Sequence, residues 1–215
     1  MTMKNIILFG PPGSGKSTLV ELLAERGIPF SLVSMGQILR EKASEDSDEG
    51  RKIKETMAKG DLIDDHFITA LARDAVKKAD KSKMIILDGY PRTLIQLEQI
   101  DGIFEENKLD LPVLIYLKIT VEEAIRRLSN RRVCSKCEMN FQISDLNGKE
   151  ECNKCGGKLI QRDDDKPEAI ENRFEIFEMQ FNLIKHYFEK RKRFFEINGM
   201  EEKRKRIDDL MKIIK

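Results

Sequence analysis

Eight residues near the start of the chain, Gly10-Pro11-Pro12-Gly13-Ser14-Gly15-Lys16-Ser17, carry the spacing G-x-x-x-x-G-K-[ST] of a phosphate-cradling loop. Its glycines let successive backbone N–H groups turn toward one anion without side-chain clash. A helix starting there adds the positive end of its dipole. Lys16 is a point charge suited to the β- and γ-phosphates of a nucleoside triphosphate, and the Ser17 hydroxyl can reach Mg²⁺. A second cluster lies downstream: Cys134-x-x-Cys137 and Cys152-x-x-Cys155, two knuckles with 14 residues between them. Four thiolates close a tetrahedral Zn²⁺ site and leave no open position, which makes such a site structural. Redox-active pairs and inert thiols are the competing readings. A third chemical residue is Asp88, a carboxylate ending the apolar run Met84-Ile85-Ile86-Leu87. With a phosphate loop in the same chain, it reads as an organiser of Mg²⁺, directly or through water.

These groups need elements to hold them, and the hydrophobic pattern supplies them. Residues 3–9, 30–34, 84–88, 113–117 and 194–197 read as buried strands, most of them unbroken apolar runs. Helices are expected over 15–26, 35–42, 47–59, 64–79, 93–104, 120–128, 165–188 and 201–214. Ser34, Asp64 or Asp65, and Asp165 are placed as caps. Thr120 with Glu123, and Asp165 with Glu168, form capping boxes, and Pro167 sits in a first turn. Ile170, Phe174, Phe177, Phe181, Ile184 and Phe188 recur at helical spacing, so those phenylalanines are expected to be core. Strands alternating with helices predict an α/β fold with a parallel sheet covered on both faces and ligands beyond the carboxyl ends of its strands. Residues 133–161 interrupt the alternation and read as a small inserted domain in which metal replaces a core that roughly thirty residues cannot build.

The 215-residue length suits one core domain plus an insertion. Charged residues make up 36%, yet the net charge is +1, so no overall pull toward nucleic acid or anionic membrane is expected. No apolar run approaches a membrane span, and because the chain enters its first strand directly no signal peptide is expected. A cytoplasmic protein is expected, and in that reducing compartment the four cysteines favour metal over disulfides.

Taken in order, the motifs resemble the adenylate kinases, among the nucleoside monophosphate kinases, along nearly the whole chain. The phosphate loop corresponds to Gly10–Thr18, and the family's aspartate-glycine-aromatic-proline-arginine-threonine signature to Asp88-Gly89-Tyr90-Pro91-Arg92-Thr93. Gln96 matches the glutamine that reads the monophosphate's base, and Gly36-Gln37-Ile38-Leu39-Arg40 matches a Gly-x-x-x-Arg element. Asn130-Arg131-Arg132 and Arg162, Asp164, Asp165 and Arg173 match the residues flanking the lid, and the knuckles match its zinc-bearing long form.

The resemblance implies a five-stranded parallel core over 1–34, 65–132 and 162–215, a helical acceptor-binding subdomain over 35–64 and a zinc-ribbon-like lid over 133–161. It implies reversible Mg²⁺-dependent transfer of the γ-phosphate of ATP to AMP, giving two ADP and serving adenine nucleotide homeostasis. It assigns the donor to Gly10, Gly13, Ser14, Gly15, Lys16, Ser17, Thr18, Arg127, Arg131 and backbone near Gly199. It assigns the acceptor to Met35, Arg40, Ile63, Gly89, Arg92, Gln96, Arg162 and Arg173. Catalysis then rests on Lys16, Arg92, Arg127, Arg131, Arg162 and Arg173, with Asp88 and Ser17 organising Mg²⁺. Among the arginines the sequence alone makes no selection; the resemblance does. A monomer is expected, since the family is mostly monomeric with some trimeric members. The chain departs from the family at Ser34-Met35-Gly36-Gln37, where Ser-Thr-Gly-Asp is usual. Met35 cannot make the threonine's hydrogen bond near the base, so AMP with relaxed selectivity is expected. The alternatives are a UMP/CMP or broad-specificity kinase, and an ATPase using the ribbon on nucleic acid. The first typically has a short lid. The second lacks a basic groove, because Glu138, Asp145, Glu150 and Glu151 offset the insert's lysines and Phe141 is its only aromatic residue.

Overall fold

The computed structural model describes residues 3–215; Met1 and Thr2, at the head of the expected core segment 1–34, lie outside the described residues. The order is β1 (Ile6–Phe9), α1 (Lys16–Glu25), β2 (Phe30–Ser34), α2 (Met35–Ala43), α3 (Asp48–Lys59), α4 (Asp65–Lys78) and β3 (Met84–Asp88). Then come α5 (Leu94–Glu106), β4 (Val113–Lys118), α6 (Val121–Ser129), β5 (Arg131–Cys134), β6 (Asn140–Gln142), α7 (Ile143–Leu146) and β7 (Leu159–Ile160). A 3₁₀ turn at Asp163–Asp165 leads into α8 (Pro167–Lys190), β8 (Phe194–Asn198) and α9 (Lys203–Ile214).

The strands β2-β3-β1-β4-β8 form, in that order, a parallel five-stranded sheet, as the apolar runs predict. Side chains alternate between its faces. Ile6 and Leu8 join Ile86, Ile115 and Leu117 beneath α1 and α9. Ile7 and Phe9 join Ile85, Leu87, Leu114 and Tyr116 beneath α4, α5 and α8. Each fully buried aliphatic side chain contributes about 1.5–3 kcal/mol, so both faces must be covered and the sheet lies inside. Of the α8 phenylalanines expected in the core, Phe174 and Phe188 are buried, and Phe177 and Phe181 are partly buried against it. Phe177 packs on Phe9 with ring centroids 5.3 Å apart, and Phe181 on Tyr116 at 4.8 Å. The insert folds as an antiparallel sheet in the order β6-β5-β7.

Several caps form as their sequences demand. Asp64 accepts from the Phe67 amide at 2.9 Å, and Thr93 from the Gln96 amide at 3.2 Å. Others do not. Ser34 precedes α2 without a side-chain cap bond. Thr120 accepts from the Glu123 amide at 3.3 Å, but the Glu123 carboxylate turns to Arg126 and Arg127, leaving the box half made. The expected Asp165–Glu168 box is absent: Lys166 occupies the cap position of α8, and Pro167 opens the helix. Asp165 is instead buried one residue earlier, where two arginines compete for it, and a charge-assisted pair outweighs a cap.

Candidate active site

The carboxyl ends of β1, β2 and β3 open into a cleft of about 950 Å³, bounded also by α2, α6, the insert and α8. This lies at the upper end of the ~300–1,000 Å³ usual for small-ligand sites. The phosphate loop forms its floor. Gly13 has φ 80, and a Cβ there would lie 2.7 Å from the Ala124 carbonyl oxygen, so only glycine lets α6 approach the loop this closely. Gly15, at φ 94, precedes α1, which has no side-chain cap, so its first N–H groups are free to meet an anion. The Lys16 Nζ donates to the carbonyls of Gly10 and Pro11 at 3.0 and 3.2 Å and to Ser14 Oγ at 3.3 Å. Burial lowers its pKa to about 8; Arg92, Arg173 and Arg131 push the same way, and Asp88 opposes them.

Asp88 ends β3 in register with Leu8 of β1 and Ser34 of β2, beside the loop. In the first turn of α5, Gln96 is almost fully buried and clamped at both ends of its amide. Its Oε1 accepts from the Arg92 amide at 2.7 Å, and its Nε2 donates to Asp65 at 2.8 Å. An amide has two N–H groups and two lone pairs, so one of each is left to read a base. Met35 is buried against Gly89, whose added Cβ would lie 3.6 Å from that of Met35.

The arginines come from distant elements, and all of them but Arg162 arrive with carboxylate or carbonyl partners. Arg131 makes a two-pronged pair with Asp165, at 2.7 and 2.6 Å. Arg173 meets Asp164 at 2.9 Å and Asp165 at 3.5 Å. Burial alone would raise the Asp164 pKa, but Arg173, Arg131, Arg162 and Arg40 hold it below the usual carboxylate value. Arg162 carries a buried Nε without a partner, and burial, reinforced by Arg131 and Arg40, lowers its pKa to about 10. Arg127 donates to Glu123 at 2.7 Å and to the Gly199 carbonyl at 3.0 Å. Arg40 is gripped by Glu138 of the insert, from Nε at 3.2 and 3.1 Å and from Nη2 at 2.9 Å.

All the expected donor and acceptor residues from Gly10 to Arg173 line this cleft. Gly199 does not, although its carbonyl holds Arg127 in place. Among the lining residues that were not expected there are Glu138 and Arg206. Glu138 follows Cys137 with φ 56, just as Gly156 follows Cys155 with φ 67. That a charged residue stands at one knuckle where the other has glycine was visible in the sequence. Arg206 falls at i, i+4, i+8 with Leu210 and Ile214, a charge on the apolar stripe of α9.

The four cysteines gather in the insert, and Cys137 among them borders the cleft. Their Sγ atoms are all within 4.8 Å of one another, with Cys134–Cys155 at 3.4 Å and Cys137–Cys152 at 3.7 Å. Zn–S bonds of about 2.3 Å in a tetrahedron need sulfurs about 3.8 Å apart, so the donor set fits Zn²⁺. The amides of Lys136 and Cys137 donate to Cys134 Sγ at 3.4 and 3.5 Å, and the Lys154 amide to Cys152 Sγ at 3.4 Å. The Cys137 amide leads in lowering the Cys134 thiol to about 6, which favours the thiolate a metal requires. Gly157 is obligatory: a Cβ there would meet Cys134 Sγ at 2.6 Å.

Comparison with known proteins agrees with this geometry. Residues 8–193 match the family model described as adenylate kinase. An adenylate kinase of Fervidobacterium nodosum is 35% identical over 212 residues, covering 98% of this chain and 95% of that protein. One of Methanothrix thermoacetophila is 37% identical over 214 residues, covering 98% of each. One of Pyrococcus furiosus is 35% identical over 200 residues, covering 91% of this chain and 88% of the relative. A phosphate loop, a clamped glutamine and a ring of arginines around one cleft, matched over nearly the full length by such relatives, place this chain in the adenylate kinase family, as a nucleoside monophosphate kinase that moves a phosphoryl group between nucleotides.

Proposed function

We propose that the enzyme transfers the γ-phosphate of MgATP to AMP, reversibly, giving two ADP. One observation carries this reading: Lys16 and the arginines at 40, 92, 131, 162 and 173 converge on one cleft that also holds the clamped Gln96. Lys16 and the loop amides hold the donor's β- and γ-phosphates; Arg40 and Arg92 hold the acceptor's α-phosphate. An acceptor phosphate oxygen forms the new bond to the γ-phosphorus in line with the departing β–γ bridging oxygen, which leaves with the donor as ADP. Arg131, Arg162 and Arg173 neutralise the charge that spreads over the transferring group, and Arg127 steadies the donor. No side chain acts as a covalent nucleophile. Ser17 and Asp88, both oxygen donors at the loop, would hold Mg²⁺, which when bound offsets phosphate charge. Residues 35–64 bind the acceptor, and 133–161, pinned by Zn²⁺ on Cys134, Cys137, Cys152 and Cys155, close over the donor and exclude water. The remaining segments form the rigid core. The protein works as a monomer in the cytoplasm.

AMP is the preferred acceptor through the free N–H and lone pair of Gln96, with relaxed selectivity because the Met35 thioether offers packing and no strong hydrogen bond. A coupled assay with ATP and AMP, CMP, UMP or GMP tests both statements. ADP from AMP with measurable product from a second monophosphate is expected. A strict AMP-only profile sinks the relaxed selectivity; no ADP, with hydrolysis of ATP stimulated by RNA, sinks the kinase reading.

The Glu138–Arg40 pair has its own consequence. Its carboxylate sits on the guanidinium that the acceptor phosphate needs, so AMP must displace it. Holding a non-glycine residue left-handed also costs about 1–2 kcal/mol. Glu138→Gly relieves that conformation and frees Arg40. A half-exposed pair is worth about 0.2–1 kcal/mol, so the KM for AMP is expected to fall by about 1.4- to fivefold. An unchanged KM for AMP in steady-state assays refutes the competition.

A further inference from the structure

Every arginine of the cleft discussed so far has an acidic group near its guanidinium or is held by a backbone carbonyl; Arg206 has neither. The residue is 7% exposed, and its Nε is buried without a hydrogen-bond partner. Among the described residues it makes no ion pair and no side-chain hydrogen bond, and the one charged neighbour that perturbs it is another cation, Arg127. Nor is it a packing residue by type. It occupies the first of three positions whose other members, Leu210 and Ile214, are fully buried core. An unpaired guanidinium at such a position destabilises the folded chain unless something else answers its charge.

What it faces is the end of the phosphate loop. A Cβ built on Gly15 would lie 2.9 Å from Arg206 Nη1 and 3.7 Å from Arg127 Nη1. Two guanidinium ends therefore flank one glycine, immediately before the first turn of α1, where the N–H groups lack a side-chain cap. The absent side chain of Gly15 is what lets Arg206 reach the loop. Like charges brought together beside a positive helix terminus form an anion site.

We propose that Arg206 is a further donor-site residue, whose guanidinium donates to an oxyanion of the donor nucleotide's phosphate chain at the N-terminus of α1. This rests on the kinase reading above and adds to it a contact from α9, an element that reading leaves without a role. The bound polyphosphate is the counter-ion that the protein itself does not supply. Stability is thereby given up in the free enzyme and recovered on binding.

Titration calorimetry of the free protein tests this with three probes: MgATP, inorganic tripolyphosphate and adenosine. Arg206→Met keeps most of the side-chain volume and removes the charge; Arg206→Lys keeps the charge. Arg206→Met is expected to weaken MgATP and tripolyphosphate alike, by about tenfold or more, the loss of one charge-assisted contact. Adenosine affinity is expected to stay as it is, as is the KM for AMP. Arg206→Lys recovers part of the loss. The melting temperature of Arg206→Met is expected to hold or rise, because an uncompensated buried charge has gone. A lower melting temperature with undiminished polyphosphate affinity makes Arg206 structural and overturns the proposal. Weakened ATP and adenosine with unchanged tripolyphosphate assigns it to the base and also overturns it. Failure of the kinase reading is separate: wild-type protein would bind these probes yet form no ADP from ATP and AMP.

Discussion

Replacing Lys16 with methionine is expected to lower phosphoryl transfer about 10²–10³-fold or more, the scale set by removing one preorganised donor from a developing charge. No other side chain stands where this ammonium does, inside the curl of the loop and bonded to its carbonyls. The fold should not suffer. Burial makes a cation there unfavourable in the free protein, with Arg92, Arg173 and Arg131 adding to it against Asp88, and this brings the pKa to about 8. The same shift sets the pH dependence. Below that value Lys16 is protonated and ready for phosphate; above it, binding must first return a proton, so ATP affinity falls toward a limiting tenfold per pH unit. The expected profile of kcat/KM for ATP therefore declines above pH about 8 in the wild type. Lys16→Met lacks that limb and melts no lower. A variant retaining more than about a tenth of wild-type turnover would remove Lys16 from the transition state.

Removing the metal should do the opposite: damage the fold locally and the chemistry partially. The insert's buried cluster is Cys134, Cys152 and Leu159, with Phe141 and Leu146 against it. One leucine contributes about 2 kcal/mol, whereas ordering each residue of the insert costs about 1–2 kcal/mol. Structural Zn²⁺ contributes about 10–16 kcal/mol in small domains, several times what any side chain of this cluster supplies. Elemental analysis should find about one Zn per chain. Chelation, or Cys134→Ala, is expected to release it, lower the melting temperature and expose the insert to protease. The sheet of β2-β3-β1-β4-β8 should stay folded, and transfer should be reduced but not lost. Unchanged zinc content and melting temperature in Cys134→Ala would refute the assignment.

The parallel sheet, the phosphate loop and the cysteine quartet were all legible in the amino-acid sequence, for one physical reason. Each is written in short-range pattern: unbroken apolar runs for strands buried on both faces, glycines at fixed offsets for the loop, paired C-x-x-C spacing for a tetrahedron. The capping residues were read less well, since a short polar side chain can serve a helix end or a distant charge. Thr93 and Asp64 serve helices. Asp165 does not, because the fold brings Arg131, 34 positions away in the chain, against it and buries both.

What tertiary structure alone decided is the pairing of charges. Arg40 and Glu138, 98 positions apart, meet only because the insert folds over α2. Arg206 reaches the loop only because α9 packs on α1 beneath the sheet and Gly15 has no side chain. Backbone periodicity is local and is carried by neighbouring residues. Which of many arginines faces a phosphate depends on distances set by the whole packed chain, and no run of neighbouring residues encodes them.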